Sequence, residues 1–189
     1  MTFLAFIYFL LRTYSTIIFP ERNKVIVHEF ASFENFFPIA TLDLTDKGIK
    51  DEIHIIYLSF NYSGPPHDPN FPEGEDMDHY TYKITKNGLY RPTFNKDALV
   101  IDPNYQPYFD KGRELFSDAK TSKRNIDSIL KFKRNPDWLQ NDATPYNSKK
   151  EPYTFICQFE MEGLFSEDSW VYVFYDKTDH MVKYVHQRT

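Results

Sequence analysis

The chain has 189 residues, of which 41% are hydrophobic and 26% are charged. These proportions are typical of a globular protein with a sizeable core, and they exclude an extensively disordered chain. The aromatic share is high at 18%, with 18 Phe and 14 Tyr, and flat rings that pack on a pleated surface favour sheet over helix. The formal net charge of -5 disfavours contact with nucleic-acid phosphates.

The amino-terminal segment, residues 1–20, is apolar, and we treat it as separate from a single domain formed by residues 21–189. Residues 3–19 reach the length of a membrane helix only if Arg12 is tolerated near the middle. Their apolar side chains also share one helical face, opposite Arg12, so a helix packed on the domain is the alternative to a membrane anchor. If the segment spans a membrane, the basic residues that follow it keep the domain on the cytoplasmic side. Either way we expect the body of the protein in the cytoplasm.

Apolar runs bounded by turn residues predict the strands in chain order. They lie at residues 24–30, 37–44, 53–60, 80–84, 89–94, 153–161 and 170–175. Gly48 is the turn residue of the second connection, and Asn87-Gly88 favours a tight hairpin turn. The density of Gly and Pro predicts a long surface loop over residues 61–78. Helical spacing of apolar residues predicts helices over residues 109–116 and 122–132.

These elements predict an α+β fold, in which several hairpins form a twisted antiparallel sheet with two or three helices. The strand pair in residues 153–175 is expected at the centre of the sheet. It repeats the plan of the pair in residues 37–60, which indicates a duplicated unit or only the similarity of any two hairpins. The predicted core consists of Ile39, Leu42, Ile55, Tyr57, Ile129, Trp138, Phe155, Cys157, Phe159, Val171 and Val173.

Three short motifs in the last third of the chain carry a family resemblance. They are PDWLQND at residues 136–142, FICQ at 155–158 and WVYVF at 170–174. Residues 135–188 resemble the YwqG-like family of uncharacterised bacterial proteins. In that family a Gly-Tyr-Pro segment is followed by Gln and Asp. Next come a strand that ends in Gln, a Gly-rich link and an aromatic strand. The resemblance implies a mixed fold on twisted antiparallel sheet with an internal pseudo-repeat, and it implies no reaction.

The chain departs from the family pattern at two places. Arg134-Asn135 stands where Gly-Tyr is expected, and residues 166–169 replace a link of the Trp-Gly-Asp type. The long loop over residues 61–78 has no counterpart. The family therefore informs the fold more than the function.

Polar side chains surround a tryptophan in the turn-rich segment after the second predicted helix. Trp138, Gln140, Asn141 and Asp142 are candidates for a recognition pocket, because amide and carboxylate groups beside an indole can bind a polar ligand. The alternative is a capped turn in which Trp138 fills the core and Asn141 and Asp142 bind backbone amides. We would choose this segment first as a binding site.

The predicted loop and the residues after it contain the densest set of possible metal ligands. They are His67, Asp68, Glu73, Glu75, Asp76, Asp78 and His79. Their order matches no calcium-loop spacing, so we predict no specific metal site and no cofactor. The acidic residues Glu73, Glu75, Asp76 and Asp78 instead form a candidate contact surface for a basic partner.

The common nucleophilic and basic groups have structural interpretations. Cys157 alternates with Phe155 and Phe159, so we expect a buried thiol on their face of the strand rather than a nucleophile. His28 and His54 lie in predicted strands, where they are expected to satisfy local hydrogen bonds. The basic residues Lys120, Lys123, Arg124, Lys131, Lys133 and Arg134 alternate with acidic ones, so we interpret them as a solvated helix face and expect no nucleic-acid partner.

No catalytic residue is predicted, because the sequence has no Gly-rich phosphate loop, no paired Cys motif and no Gly-x-Ser-x-Gly elbow. An acidic chain rich in aromatics favours a non-enzymatic protein-binding module of the immunity or scaffold type. The alternative is a small-ligand or metal-dependent enzyme or binder that uses the Trp138 to Asp142 segment or the acidic loop.

Overall fold

A computed structural model describes residues 16–60, 69–122, 124–165 and 168–188. Residues 16–18, at the end of the apolar segment, form a strand, so a helix does not extend through this part of residues 3–19. Residues 3–15 lie outside the described ranges, so their interpretation as a packed helix or an anchor stays a prediction. Within the described ranges, no helix is both long enough and apolar enough to cross a membrane.

A three-stranded antiparallel sheet forms from the first part of the chain. Its strands are β1 (Thr16–Ile18), β2 (Phe36–Leu42) and β3 (Ile53–Leu58), in the order β1-β2-β3. Every residue of β2 and β3 is buried, which explains their continuous apolar sequence. The link between them contains a 3₁₀ helix, Thr45–Lys47. Its C-cap residue is Gly48, whose φ of 77° suits a residue without Cβ.

A six-stranded antiparallel sheet forms from the rest of the chain. Its strands are β4 (His79–Ile84), β5 (Tyr90–Pro92), β6 (Leu130–Lys131), β7 (Thr154–Glu160), β8 (Ser169–Asp176) and β9 (Met181–Arg188), in the order β5-β4-β9-β8-β7-β6. The β7/β8 hairpin was predicted at the centre of the sheet, but only β8 is one of the two central strands, and β7 lies next to the edge strand β6. Strand β9 was not predicted, because polar residues such as Lys183 and Gln187 interrupt its apolar pattern.

The helices are α1 (His28–Ala31), α2 (Gln106–Thr121) and α3 (Ile126–Ile129), with a further 3₁₀ helix at Arg22–Lys24 and another at Lys96–Leu99. The predicted α+β class is therefore confirmed. Helix α2 contains the predicted helix over residues 109–116 and extends it at both ends. A Pro in its first turn is compatible with the start of a helix, because the amide hydrogen there has no helical partner.

Two sequence predictions of secondary structure are wrong. The helix predicted over residues 122–132 is only α3, because Asn125 Oδ1 accepts a hydrogen bond from the amide of Asp127 and starts a new short helix, after which Leu130 is extended. The strand predicted over residues 24–30 is a 3₁₀ turn, one bridge from Ile26 to Tyr90, and α1. Its apolar residues are buried by tertiary packing rather than by a sheet face.

Side chains from both sheets share one core, and that core is unusually aromatic. Tyr80, Tyr82, Tyr90 and Tyr184 have no exposed surface. The rings of Tyr80 and Tyr184 stack at 5.3 Å, and those of Tyr80 and Tyr82 meet edge to face at 5.8 Å. Helix α2 packs on this core through Phe109 and Phe116. The high aromatic content of the chain is therefore used mainly in the interior.

A β-bulge in β7 divides the predicted core. The register with β8 shifts between Phe155 and Cys157, so Cys157 and Phe159 point into the main core. Phe155 instead belongs to a small cluster on the opposite face, and the expectation that it shares a face with Cys157 is wrong. Trp138 joins the same cluster and is only partly buried. The other predicted core residues are buried as expected.

The two hairpins of similar plan, β2/β3 and β7/β8, lie in different sheets. The duplicated unit is not confirmed by this arrangement and stays a prediction.

Candidate functional site

The segment after β6 crosses the outer face of the six-stranded sheet. Trp138 lies on this face, with its ring 4.5 Å from Tyr172 and 5.8 Å from Phe174. These rings, with Val185 and Phe155, form an apolar cluster separate from the main core. Trp138 therefore has a packing role, although part of its indole remains at the surface.

Polar side chains of the sheet hold the backbone of this segment. The buried Gln158 accepts a hydrogen bond at Oε1 from the amide of Asp137, at 2.8 Å. The Tyr172 hydroxyl accepts from the amide of Leu139 and donates to the carbonyl of Asp137, both at 2.9 Å. The sequence thus places hydrogen-bonding side chains on the sheet at positions where the backbone amides and carbonyls of an irregular segment need partners.

The candidate residues after Trp138 lie on the exposed side of the segment. Gln187 binds both neighbours: its Oε1 accepts from the amide of Gln140 at 2.9 Å, and its Nε2 donates to the carbonyl of Asn141 at 2.7 Å. Asp142 accepts from the hydroxyl and the amide of Thr144, and these hydrogen bonds lower the pKa of the Asp142 carboxyl. The predicted turn-capping role of Asp142 is therefore present.

The acidic segment, which we define as residues 73–78, is held by its own carboxylates. Glu75 accepts from the hydroxyl of Thr93 at 2.7 Å, and Asp78 pairs with Arg188 at 2.8 Å. Asp76 accepts from the side chain and the amide of His79. The hydrogen bond from the His79 side chain is the main cause that lowers the pKa of Asp76. Glu73 is exposed, so the segment keeps negative charge at the surface in a fixed conformation.

Among the described residues, no group of three or more His, Cys, Asp or Glu side chains is arranged to hold a metal ion. His67 and Asp68, which belong to the set of possible ligands in the sequence, lie outside the described ranges.

The buried histidines and the cysteine have structural roles. His54 Nδ1 lies 2.9 Å from Thr41 Oγ1 and its Nε2 lies 3.1 Å from the carbonyl of Gly88, as expected for a locally satisfied residue. His186 Nε2 lies 3.1 Å from the Tyr80 hydroxyl. Burial lowers the pKa of His54 to about 4 and that of His186 to about 3. Burial also raises the pKa of the Cys157 thiol, which disfavours the nucleophilic thiolate. His28, predicted in a strand, is exposed at the start of α1.

An Asp-His-Tyr group at the turn between β8 and β9 was not found from the sequence. Asp51 Oδ2 accepts from the Tyr175 hydroxyl at 2.6 Å and lies 2.9 Å from His180 Nδ1. Burial opposes ionisation of Asp51, but these hydrogen bonds outweigh it and lower its pKa. His180 has a φ of 53°, and its carbonyl accepts from the amide of Ile84. The group joins the two sheets at one end. Its partners are 129 residues apart in the chain, so no local pattern reveals it.

A concave surface lies between α2 and the start of β2, and we call it the α2 groove. It consists of two adjacent cavities of about 370 Å³ and about 330 Å³, which share Phe19 and Lys120. Phe19, Phe36, Phe37 and Phe116 give the larger cavity an aromatic floor. Each volume falls within the range typical of ligand sites.

Four cationic side chains line the α2 groove, and the larger cavity is also lined by Glu21 and Glu34. Arg113 and Lys120 lie on the α2 wall with Phe116, at the spacing of one helical face. Arg22 lies on the opposite wall, and Arg124 lines the smaller cavity. Lys120 and Arg124 belong to the basic stretch noted in the sequence, which was interpreted as a solvated helix face. The floor residues come from distant parts of the chain, and nothing in the sequence predicts their meeting.

The rest of the basic stretch does not follow one helix face, so that interpretation is wrong beyond α2. Lys131 lies in β6, 4.0 Å above the ring of Trp170 and 3.3 Å from Glu160. Lys133 pairs with Asp137 at 2.5 Å. Lys123 is outside the described ranges.

Comparison with known proteins finds no matching family model, no matching curated protein and no matching solved structure.

Proposed function

We propose that the protein acts by binding another protein, as a module of the immunity or scaffold type, rather than by turning over a substrate. The observation that carries this proposal is the α2 groove, which combines an aromatic floor with a cationic rim on an acidic chain. Aromatic residues and Arg are enriched in the cores of protein interfaces, because they bury a large area and keep a polar handle.

The titratable groups of the described core support the same proposal. General acid-base catalysis needs a group that exchanges protons near the working pH and can reach a substrate. His54 and His186 are buried with strongly lowered pKa values, and Cys157 is buried with a raised one. Each contributes to packing or to a hydrogen bond within the core.

The acidic segment is a second candidate surface, for a basic partner. Its hydrogen bonds to Thr93, His79 and Arg188 fix its conformation before any partner arrives. A fixed segment loses less conformational entropy on binding than a mobile one. Its charge would also raise the association rate with a basic partner at low ionic strength.

Membership of the YwqG-like family is part of this proposal. The motif at residues 136–142 contacts the other two motifs that carry the resemblance. Its Asp137 amide binds Gln158, and its Leu139 amide binds Tyr172. The three motifs therefore contact one another on the outer face of the six-stranded sheet.

Affinity capture from the source cell with matched variants tests the proposal. One variant carries Lys120→Glu and Arg124→Glu in the groove. A second carries Glu73→Gln, Glu75→Gln, Asp76→Asn and Asp78→Asn in the acidic segment. Lys111→Glu on the exposed side of α2 and Glu52→Gln at the surface are the matched controls.

We expect a partner that is retained by the wild type and by both controls and is lost with one of the two multiple variants. Circular dichroism of each variant establishes that the fold is kept. Recovery of no partner, or of one whose binding ignores both sets of changes and added salt, would contradict the proposal. Stoichiometric zinc in the purified protein would favour the enzyme or ligand-binder alternative instead.

A further inference from the structure

We infer that the α2 groove takes an extended, acidic segment of a partner protein, with an apolar side chain over the aromatic floor and a carboxylate between Lys120 and Arg124. This inference rests on the proposed protein-binding function and specifies the chemistry of the partner.

Some cationic side chains of the groove have partners within the described part of the chain, and others do not. Arg22 donates to the carbonyl of Phe33 at 2.6 Å. Arg113 pairs with Glu34 at 2.6 Å and with Asp110 at 3.2 Å. By contrast, no carboxylate among the described residues lies within ion-pair distance of Lys120 or Arg124. The end of the groove near these two residues therefore favours an incoming anion.

Arg124 is exposed and packs on a glycine. Its guanidinium lies against Gly163, where a Cβ atom would approach to 3.2 Å. Gly163 also has a φ of 74°, which favours a residue without Cβ. The guanidinium is thus placed beside the smaller cavity, and a planar fork of donors suits a carboxylate.

Phe19 lines both cavities and has a strained backbone. Its φ is 49°, which is rare for a bulky side chain. A hydrogen bond from its amide to the carbonyl of Ile39 and an edge-to-face contact with Phe116 at 5.4 Å hold it there. Strain of this kind is concentrated at functional sites. The result is a ring that belongs to both cavities, which suits successive side chains of one extended segment better than a single compact ligand.

Exposed apolar residues continue the surface beyond the groove. Ile18, which lines the smaller cavity, is 42% exposed, and its neighbour Ile17 is 60% exposed. They extend the apolar surface that an extended segment can cover, next to the cationic end.

Charge complementarity decides between the occupants. Residues 1–15 precede β1 directly, but they contain Arg12 and no acidic residue, so they supply no anion for Lys120 and Arg124. A nucleic acid would meet a chain of net charge -5 with few free cations at this site. An acidic peptide with interleaved apolar residues satisfies both the rim and the floor.

Peptide binding to the full chain tests the inference. The probe is a blocked, dye-labelled hexapeptide of alternating Glu and Phe, and its matched twin has Gln in place of Glu. Fluorescence anisotropy at low salt is measured for the wild type, for the Lys120→Glu/Arg124→Glu and Lys120→Gln/Arg124→Gln variants, and for the Lys111→Glu control. A labelled oligouridylate is the nucleic-acid arm.

We expect the wild type and the Lys111→Glu control to bind the Glu peptide at least about tenfold more tightly than the Gln peptide. This preference should weaken with added salt and disappear in both double variants. Equal binding of the two peptides, an unchanged preference in the double variants, or tighter binding of the oligouridylate would each overturn the inference. If neither peptide binds while partner capture still requires Lys120 and Arg124, the peptide chemistry is wrong and the proposed function stands. If capture fails as well, both are wrong.

Discussion

The hydroxyl of Tyr184 donates a hydrogen bond of 2.6 Å to the carbonyl oxygen of His54, 130 residues away in the chain. The same hydroxyl accepts from the amide of Ile56 at 3.1 Å, and the Tyr90 hydroxyl accepts from the amide of His54 at 2.9 Å. Two tyrosines of the six-stranded sheet therefore satisfy backbone groups of β3, the edge strand of the other sheet. An edge strand with unpaired backbone groups invites aggregation, and these hydroxyls protect it.

Tyr184→Phe is expected to reduce the free energy of unfolding by about 1–3 kcal/mol, because it leaves a buried carbonyl and a buried amide without their partner. The matched control is Tyr82→Phe. The Tyr82 hydroxyl is buried and has no hydrogen-bond partner among the described residues. Its removal should be neutral or slightly stabilising. Urea unfolding followed by circular dichroism measures both, and equal losses in the two variants would refute this account of the tyrosine pair.

Trp138→Ala is expected to cost about 1–3 kcal/mol, because the indole packs on Tyr172 and Phe174 but keeps part of its surface exposed. A fully buried tryptophan would cost about 3–5 kcal/mol. Chemical unfolding gives the value. A loss below about 1 kcal/mol would instead favour a role of Trp138 in binding a ligand, as the sequence first suggested.

Stability is expected to fall as the pH is lowered from about 6.5 to about 4. Burial lowers the pKa of His186 to about 3 and that of His54 to about 4, so in the folded protein His186 stays neutral over most of this range and His54 begins to bind a proton only near its lower end. In the unfolded chain they bind protons below about pH 6.5, and the unfolded state is then favoured by up to about 1.4 kcal/mol per pH unit for each histidine. The free energy of unfolding, measured from pH 7 to pH 4, gives this slope.

The variant that isolates this effect is His186→Gln, which removes one of the two buried imidazoles. Its stability should depend less on pH than that of the wild type, by up to about 1.4 kcal/mol per pH unit. His54→Gln should show a similar reduction. Asp51 and Asp76, whose pKa values are also lowered, contribute mainly below this range, near pH 4 and lower. Slopes identical to wild type in both variants would show that the buried histidines do not control acid stability.

The Cys157 thiol is expected to resist a thiol reagent such as Ellman's reagent in the folded protein and to react fully in denaturant. It is completely buried, and burial raises its pKa, so both access and thiolate formation are suppressed. The reaction is followed by absorbance over time. Rapid labelling of the folded protein would contradict the buried position in β7.

Local patterns in the sequence were sufficient for the α+β class, the hairpins of β2/β3 and β7/β8, and helix α2. Each of these depends on a periodicity or a turn residue that acts over a few positions, as at Gly48. Local capping by Asn125 could also have been read from the sequence, and it explains why the helix predicted over residues 122–132 begins only at Ile126. The buried thiol of Cys157 and the hydrogen-bonded His54 were also predicted, because each lies within an apolar run that indicates a strand.

The tertiary structure decided the rest, because it depends on contacts between distant residues. The bulge beside Phe155 places its side chain on the opposite face of the sheet from Cys157, and an alternating sequence pattern does not show this in advance. The polar end of β9 becomes a strand because β4 and β8 flank it. The α2 groove exists only where Phe19 and Phe37 meet Phe116. The Asp51 to His180 contact joins the loop before β3 to the turn between β8 and β9. Composition and periodicity specify which residues are buried, whereas the site depends on which buried elements the folded chain places side by side.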